Sequence, residues 1–321
     1  MTPLSRRRFI RIAIGGTAVA AMAGTRVAMA TVPLRRWKGV ALGAAAELVL
    51  PAAEADRLIA LTRSEIGRLE RIFSLYRDDS ALVRLNRQGF LDSPPLEMVE
   101  LLARARAVSA ASRGAFDVTV QPLWEAYAAH FSDRRADSSG PSRAILDAAL
   151  ARVDWQAVDI GPARITFGRP GMAVTLNGIA QGYITDKVAE RIRAEGFEHI
   201  LLNLGETRAL GSHPDGRPWR VAAIEAPPPV PLVDGAIATS AAQGTAFMPD
   251  GAANHIFDPR TGTSAAAYQW ISVEAPTATE ADAWSTAFSL MPLAAIHGAM
   301  KNTEIRRVRL MEQSGAEIVT L

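Results

Sequence analysis

A carboxylate and a hydroxyl stand four residues apart near the C-terminal end of the sequence. Asp282 and Thr286 belong to Glu280–Phe288, which has a helical pattern, so both side chains are expected on one helix face. One carboxylate and one hydroxyl leave coordination positions for phosphate and water, which is how Mg²⁺ is usually held at nucleotide sites. A helix N-cap with a buried threonine explains the same residues, so this cluster alone leaves both interpretations open.

A second cluster combines glycines with the predicted start of a helix. The segment Leu176–Tyr183 contains Gly178 and Gly182 and leads into the helix that carries Asp186. Unpaired N–H groups and the helix dipole favour anions at such a helix start, and a pyrophosphate suits it. The alternative is close helix packing around small residues.

A histidine, a carboxylate and a guanidinium share the turn-rich segment Asn254–Gly262. His255 and Asp258 could move protons, and Arg260 could bind a phosphate. In the alternative interpretation, Asp258 and Arg260 only cap backbone groups of the turn.

The fourth cluster is Gly114–Val120. A glycine followed by alternating Phe and Val residues predicts the entry of a strand, and the pattern leaves a structural role and a site role equally open.

Helices and strands of an α+β fold are expected to position these clusters. Helices are predicted for Pro51–Ile72, from Ser93 as N-cap to about Ala110, and for Tyr183–Glu195 before Gly196. Strands are predicted for His199–Leu204, Trp219–Ile224, Val233–Ala238 and Ile271–Glu274, with a C-terminal hairpin of Ile305–Met311 and Ala316–Thr320. Phe73–Asn86 is too polar and irregular to be expected in the core, and Asp133–Arg143 and Pro227–Pro231 are expected to be loops.

The N-terminal 30 residues predict export. Arginines before Phe9, an apolar stretch from Ile12 to about Gly24 and the triplet Ala28-Met29-Ala30 are typical of a cleaved twin-arginine signal, with an uncleaved anchor as the alternative. This segment holds five arginines and no acid, so its removal leaves 30 basic and 33 acidic residues. That balance argues against a nucleic-acid partner. The chain has no cysteine, so its stability must come without disulfides.

Seven segments in this order resemble the ApbE family, the FAD:protein FMN transferases. The resemblance extends from about Leu42 to Lys301. It is carried by Phe73–Tyr76 with Ser80 and Leu85-Asn86, Gly114–Val120, Gly178–Tyr183, Asn203–Gly205, Ala238–Ser240, His255–Gly262 and Ala281–Ala283.

The resemblance implies an α+β fold, related to the T-fold, with mixed sheets, packed helices and a cleft between lobes that holds FAD. It implies Mg²⁺ on the diphosphate, bound by Asp282 and Thr286 with Ser285 and the Gly178 carbonyl nearby. His255 is the implied catalytic residue, supported by Asp258 and Arg260. The residues implied around the flavin nucleotide are Leu42, Tyr76, Ala115, Phe116, Asp117, Thr175, Gln181 and the backbone at Ile256.

The sequence departs from the family pattern at several of these positions. Leu42 replaces the usual methionine, Thr175 a usual aspartate and Gln181 a usual lysine. The usual Gly-Gly-Asp is Gly205-Glu206-Thr207, and Ala241 follows Thr-Ser in place of glycine. These changes weaken the assignment of nucleotide-binding residues more than the assignment of the metal ligands.

The expected function is Mg²⁺-dependent transfer of FMN from FAD to a Thr or Ser hydroxyl of an acceptor protein, with release of AMP. The acceptor is expected to be a flavoprotein of an exported electron-transfer system, and the enzyme to be periplasmic, with transient or no membrane association. Two alternatives are an FAD pyrophosphatase that gives FMN and AMP, and a flavin carrier or maturation factor without turnover.

Overall fold

The structure is a computed structural model that describes residues 32–133, 135–223, 226–244, 246–248, 253–315 and 318–321. The predicted export signal, residues 1–30, lies outside the described residues and stays a prediction. Within the described ranges, no helix is long and apolar enough to cross a membrane.

Strands and helices follow one another irregularly along the chain, which gives the predicted α+β class. The strands are β1 (Leu34–Ala41), β2 (Ala44–Pro51), β3 (Phe90–Asp92), β4 (Val158–Ile160), β5 (Arg164–Phe167), β6 (Ile200–Asn203), β7 (Thr207–Leu210), β8 (Trp219–Ala223), β9 (Ala226–Leu232), β10 (Gly235–Ala241), β11 (Tyr268–Ala275), β12 (Arg307–Glu312) and β13 (Val319–Thr320). The α-helices are α1 (Ala55–Phe73), α2 (Ala81–Gln88), α3 (Leu96–Ala111), α4 (Gln121–Phe131), α5 (Arg143–Leu150), α6 (Ala180–Ala194), α7 (Ala278–Phe288) and α8 (Leu293–Met300).

One eight-stranded sheet organises the molecule, in the order β1-β2-β6-β7-β10-β11-β12-β13. The paired strands of this sheet run antiparallel to each other. The pairings β2 with β6 and β7 with β10 join strands that are far apart in the chain, so β6, β7 and β10 lie in the middle of the sheet. Smaller sheets form from β3, β5 and β4, and from β8 and β9.

The two faces of the large sheet are covered differently. On one face Leu48 and Leu50 of β2 pack in the main core with residues of α1, α6 and α7. On the other face Val49 packs with Trp219 and Val230 of the β8–β9 ribbon. This alternation along β2 is the period-two pattern of a strand covered on both sides. Helices α1, α6 and α7 therefore pack on the same face of the sheet.

Helix α1 confirms the helical periodicity of the sequence. All six positions at helical spacing are buried: Leu58, Ile59, Thr62, Ile66, Leu69 and Ile72. The predicted end of α6 at Gly196 is also confirmed, because this glycine has a φ of 89° in the left-handed region.

The prediction that Phe73–Asn86 lies outside the core was wrong. Its second half forms α2, whose N-cap Ser80 accepts a hydrogen bond from the Val83 N–H at 3.0 Å. Leu82 and Leu85 are completely buried. A helix of 8 residues is marginal alone, so tertiary packing decides its existence.

The predicted strand after Gly114 was also wrong. The Asp117 carboxylate accepts hydrogen bonds from the Thr119 N–H at 2.7 Å and the Thr119 hydroxyl at 2.6 Å. This capping closes Val118–Val120 into a 3₁₀ turn that continues directly into α4. The alternation of Phe and Val does not reveal this local competition.

Two further boundaries differ from the sequence prediction. The proline run forms β9, an outer strand of a two-stranded ribbon, where missing N–H donors are tolerated. Ser93 does not cap α3. It has a φ of 47°, its N–H donates to the Ala163 carbonyl at 2.8 Å, and the helix begins three residues later.

Candidate functional site

Helices α6 and α7 touch backbone to backbone at Gly182. A Cβ atom at this position would lie 2.2 Å from the Ala278 carbonyl oxygen and 2.8 Å from Cβ of Asp282. The Gly182 N–H, in the first turn of α6, donates to Oδ2 of Asp282 at 2.9 Å. Only glycine allows this approach, and it brings a carboxylate of α7 to the positive end of α6.

The contact is reciprocal, because a carboxylate of α6 caps α7. Asp186 accepts hydrogen bonds from the Ala278 N–H at 2.9 Å, the Thr279 N–H at 2.8 Å and the Thr279 hydroxyl at 2.6 Å. Arg208 of β7 approaches the same carboxylate at 3.5 Å. Each helix therefore provides a carboxylate that accepts hydrogen bonds from backbone N–H groups at the start of the other helix, where such groups commonly have no partner within their own helix.

Three hydroxyl groups gather beside Asp282. The Ser240 Oγ on β10 lies 2.7 Å from the Ser285 Oγ and 3.5 Å from the Thr286 Oγ1. The Ser285 hydroxyl also lies 2.9 Å from the Asp282 carbonyl, to which it donates. Ser285 is buried, whereas Thr286 is half-buried. The hydroxyl face of α7 is therefore turned toward the centre of the sheet.

The Gly178 turn reaches this group, as the sequence predicted. A Cβ atom at Gly178 would lie 2.9 Å from Oγ1 of Thr286 and 3.2 Å from its Cγ2. The turn that precedes α6 and the face of α7 that carries Asp282 and Thr286 are thus in contact, although they are about 100 residues apart in the chain.

The donor atoms of this group fit a hard divalent cation. They are carboxylate and hydroxyl oxygens, which Mg²⁺ prefers over nitrogen or sulfur ligands. In the described part of the chain, no three His, Cys, Asp or Glu side chains are grouped as a metal site. A cation here would therefore depend on few carboxylates and on hydroxyl and backbone oxygens.

Burial controls the charge of the carboxylates in this region. It raises the pKa of Asp282 to about 7, with the Gly182 N–H acting against the shift and the Asp186 charge adding to it. Burial and the charge of Asp282 also raise the pKa of Glu206, in the turn between β6 and β7, well above its usual value. Two acidic groups near the Gly178 turn are therefore poorly solvated.

The turn around His255 is built by local hydrogen bonds. The Asp258 carboxylate accepts from Arg260 Nε at 2.8 Å and Nη2 at 2.7 Å, and the Gly262 N–H donates to the Asp258 carbonyl at 2.8 Å. His255 is half-buried, and its Cε1 lies 3.3 Å from the position of a Cβ at Gly244. Because Gly244 ends the 3₁₀ turn that follows β10, His255 lies beyond the end of the strand that carries Ser240.

Comparison with known proteins decides the family. A sequence model of the ApbE family matches residues 34–308. The chain belongs to the ApbE family. The FAD:protein FMN transferase of Treponema pallidum is 30% identical over 271 residues, which cover 74% of this chain and 72% of the relative. The FAD:protein FMN transferase of Klebsiella pneumoniae (strain 342) is 28% identical over 257 residues, which cover 74% of this chain and 72% of the relative.

Solved structures of the ApbE family share the fold. The crystal structure of the Pseudomonas stutzeri flavinyl transferase ApbE in its apo form superposes with a TM-score of 0.77 at 27% identity, over 90% of this chain and 94% of that chain. The Thermotoga maritima ApbE protein has a TM-score of 0.78 at 24% identity, over 89% of this chain and 96% of that chain.

The residues that the ApbE resemblance assigns to the flavin include several with structural contacts of their own. Ala115 and Phe116 are buried in the main core. Asp117 accepts from Thr119 and, at 3.2 Å, from the Trp155 N–H. Thr175 donates its N–H to the Val118 carbonyl at 2.8 Å. The Thr175–Val118 hydrogen bond holds the 3₁₀ turn before α4 against the segment that leads to Gly178.

The other assigned flavin residues lie in separate elements. Leu42 lies in the β1–β2 turn with a φ of 52°, and Tyr76 is 67% exposed in the loop after α1. The Ile256 N–H donates to Asn254 Oδ1 at 3.1 Å, and its carbonyl accepts from the Ala265 N–H at 2.7 Å. Gln181, in the first turn of α6, lies against Gly205, where a Cβ would be 2.6 Å from its Nε2. Their roles toward a flavin stay predictions.

Sequence reasoning did not select three residues that the structure brings to this region. Ser240 belongs to the Ala238–Ser240 segment of the family pattern, so the pattern could have identified it. Asp186 was named only as part of the helix after Gly178, and Glu206 only as a departure from the family pattern. Neither was assigned a role, because the groups they contact or influence lie more than 30 residues away in the chain.

Proposed function

We propose that this protein transfers the FMN half of FAD to a Thr or Ser hydroxyl of an acceptor protein with Mg²⁺, releasing AMP. The names of its relatives support transfer of FMN from FAD to a protein. The structural observation that carries the proposal is the contact of the Gly178 turn with Thr286, beside Asp282 at the start of α6. Carboxylate and hydroxyl oxygens beside the start of a helix support binding of a cation and a diphosphate together.

In this proposal, Asp282, Thr286 and Ser285 with the Gly178 backbone hold Mg²⁺. When bound, the cation neutralises charge on the diphosphate. The first turn of α6, which contains Gln181, faces the phosphates. The acceptor hydroxyl oxygen forms a bond to the FMN phosphorus, and the bond from that phosphorus to the bridging oxygen breaks. AMP leaves with the bridging oxygen.

His255 takes the proton from the attacking hydroxyl in this reaction. A positioned base contributes about 10²- to 10⁴-fold to such a step. The Asp258–Arg260 pair fixes the turn that carries His255, because Arg260 is bonded to both the Asp258 carboxylate and the Leu290 carbonyl. The acceptor is proposed to be a flavoprotein of an exported electron-transfer system, and the enzyme itself to act in the periplasm.

The test combines purified protein, FAD, Mg²⁺ and a candidate acceptor peptide, with mass spectrometry of the peptide. The expected result is an increase in peptide mass equal to that of FMN minus one water. EDTA and the Asp282→Ala substitution are each expected to abolish this increase. The exposed Asp56, which pairs with Arg35 at 2.8 Å, provides the control variant Asp56→Ala, expected to retain transfer. Full activity of Asp282→Ala would show that the metal assignment is wrong.

Two outcomes of the same assay would favour the alternatives. Release of FMN and AMP at the same rate without acceptor indicates an FAD pyrophosphatase. Bound flavin that stays unchanged for hours with Mg²⁺ and acceptor indicates a carrier or maturation factor.

A further inference from the structure

The candidate cation group consists of Asp282, Ser285 and Thr286 with the Gly178 backbone. One further carboxylate near it has no described function. Glu206 is 7% exposed, in the turn between the central strands β6 and β7. Its Oε2 is buried and makes no hydrogen bond. Asp186, a carboxylate at equal burial, accepts three hydrogen bonds. An ionised oxygen left without a partner is costly, so Glu206 can be ionised at low cost only beside a compensating positive group.

The surroundings of Glu206 are those of the candidate cation group. The backbone N–H of Thr239 interacts with its carboxylate, and the next residue is Ser240, whose hydroxyl contacts Ser285 and Thr286. The preceding residue, Gly205, lies against Gln181 of α6. Glu206 therefore lies between β10, which carries Ser240, and the first turn of α6, which follows the Gly178 turn.

The charged group that acts on Glu206 is Asp282 and not a basic residue. Among the groups that the structure describes, burial, the Asp282 charge and the Thr239 N–H dominate the environment of Glu206. The basic side chain on the neighbouring strand, Arg208, is directed to Asp186 at 3.5 Å and Asp234 at 3.8 Å. Two buried carboxyl groups thus share a poorly solvated region, and among the described residues neither forms an ion pair with a basic side chain. A divalent cation would stabilise both in their ionised form.

We propose that Glu206 is a second carboxylate ligand of the cation, in addition to Asp282. This inference rests on the proposed function, because the cation is the one that FMN transfer requires. The glutamine at position 181 is consistent with it, because a lysine beside Gly205 would place a competing positive charge next to Glu206. With two carboxylates, the site binds Mg²⁺ and Mn²⁺ in the absence of nucleotide.

The test is cation binding, measured by isothermal titration of Mn²⁺ into the metal-free protein, with Mg²⁺ as competitor. Wild type is expected to bind one Mn²⁺. Glu206→Gln and Asp282→Asn are each expected to weaken binding at least about tenfold, since even residues outside the ligand set contribute that much to metal affinity. Circular dichroism of each variant checks the fold.

Glu274→Gln is the matched control. Glu274 also has a raised pKa from burial and a buried oxygen without a hydrogen bond, but this oxygen lies 3.6 Å from Arg307 Nη1. Glu274 lies on β11 paired with Ile237, whose side chain packs on the opposite face of the sheet. This variant is expected to bind Mn²⁺ like wild type. If Glu206→Gln does not fold, Glu206→Ala provides a second variant, because it removes the charge and relieves packing.

The outcomes separate the inference from the proposed function. Wild-type affinity of Glu206→Gln together with weak binding by Asp282→Asn would overturn the role of Glu206 and leave the proposed function intact. Wild-type affinity of both variants would overturn the cation site itself. Equal weakening by Glu274→Gln would mean that any buried charge on this sheet affects binding, which also contradicts a specific ligand role.

Discussion

A side chain of any size at Gly178 would meet Thr286. We expect Gly178→Ala to displace the threonine hydroxyl, since its Cβ would lie 2.9 Å from Oγ1, closer than real Cβ contacts. Mn²⁺ affinity measured by titration should therefore fall at least about tenfold. Gly67→Ala is the control, because a Cβ there meets nothing within 4 Å in the middle of α1. It should leave metal binding unchanged and stabilise the fold by about 0.5–1 kcal/mol.

Asp117 provides a pH-dependent contribution at the residue scale. Burial raises its pKa above the usual value of 3.8, although the Thr119 and Trp155 donors act against the shift. The folded state therefore holds the proton more tightly than the unfolded state. The stability linked to Asp117 is fully present below the unfolded pKa and is lost as the pH rises through the folded pKa.

Urea unfolding of wild type and Asp117→Asn over a pH series measures this pH-dependent contribution of Asp117 to stability. The free energy of unfolding of wild type relative to the variant is expected to decrease from about pH 4 upward. A difference that stays constant or increases with pH would contradict the raised pKa.

At the scale of elements, the mutual capping of α6 and α7 holds the candidate site together. Asp186→Ala removes the acceptor of two backbone N–H groups and one hydroxyl and leaves Arg208 without this partner. We expect a loss of about 3 kcal/mol in the free energy of unfolding, measured by urea denaturation. Asp92→Ala removes an exposed ion pair with Arg164 and should cost less than about 1 kcal/mol. Similar losses for both variants would argue against the capping role.

At the scale of the whole molecule, the N-terminal segment is predicted to direct export. Replacing Arg6, Arg7 and Arg8 with lysine is expected to keep the protein in the cytoplasm, because the twin-arginine signal depends on arginine itself. Fractionation of cells that express wild type and variant, with immunoblotting, measures this. Export of the lysine variant at the wild-type level would show that another route is used.

The sequence alone determined the parts of the molecule that depend on local periodicity and composition. These parts include the helical spacing of α1, the strands β6 and β11 and the glycine after α6. Each depends on residues that are close together in the sequence. The family resemblance is encoded in the order of short segments, which does not require coordinates. For the same reason, the sequence selected Gly178, Asp282 and Thr286 correctly as residues that come together.

Only the tertiary structure decided how distant groups share their polar contacts. Helix α2 depends on burial of Leu82 and Leu85, and the turn after Gly114 depends on the Asp117 carboxylate, so periodicity alone predicted both segments wrongly. The pairing of Asp186 with the start of α7 joins residues 92 positions apart. The unpaired oxygen of Glu206 is likewise invisible in a sequence, because burial and hydrogen bonding are properties of the surroundings that the folded chain assembles.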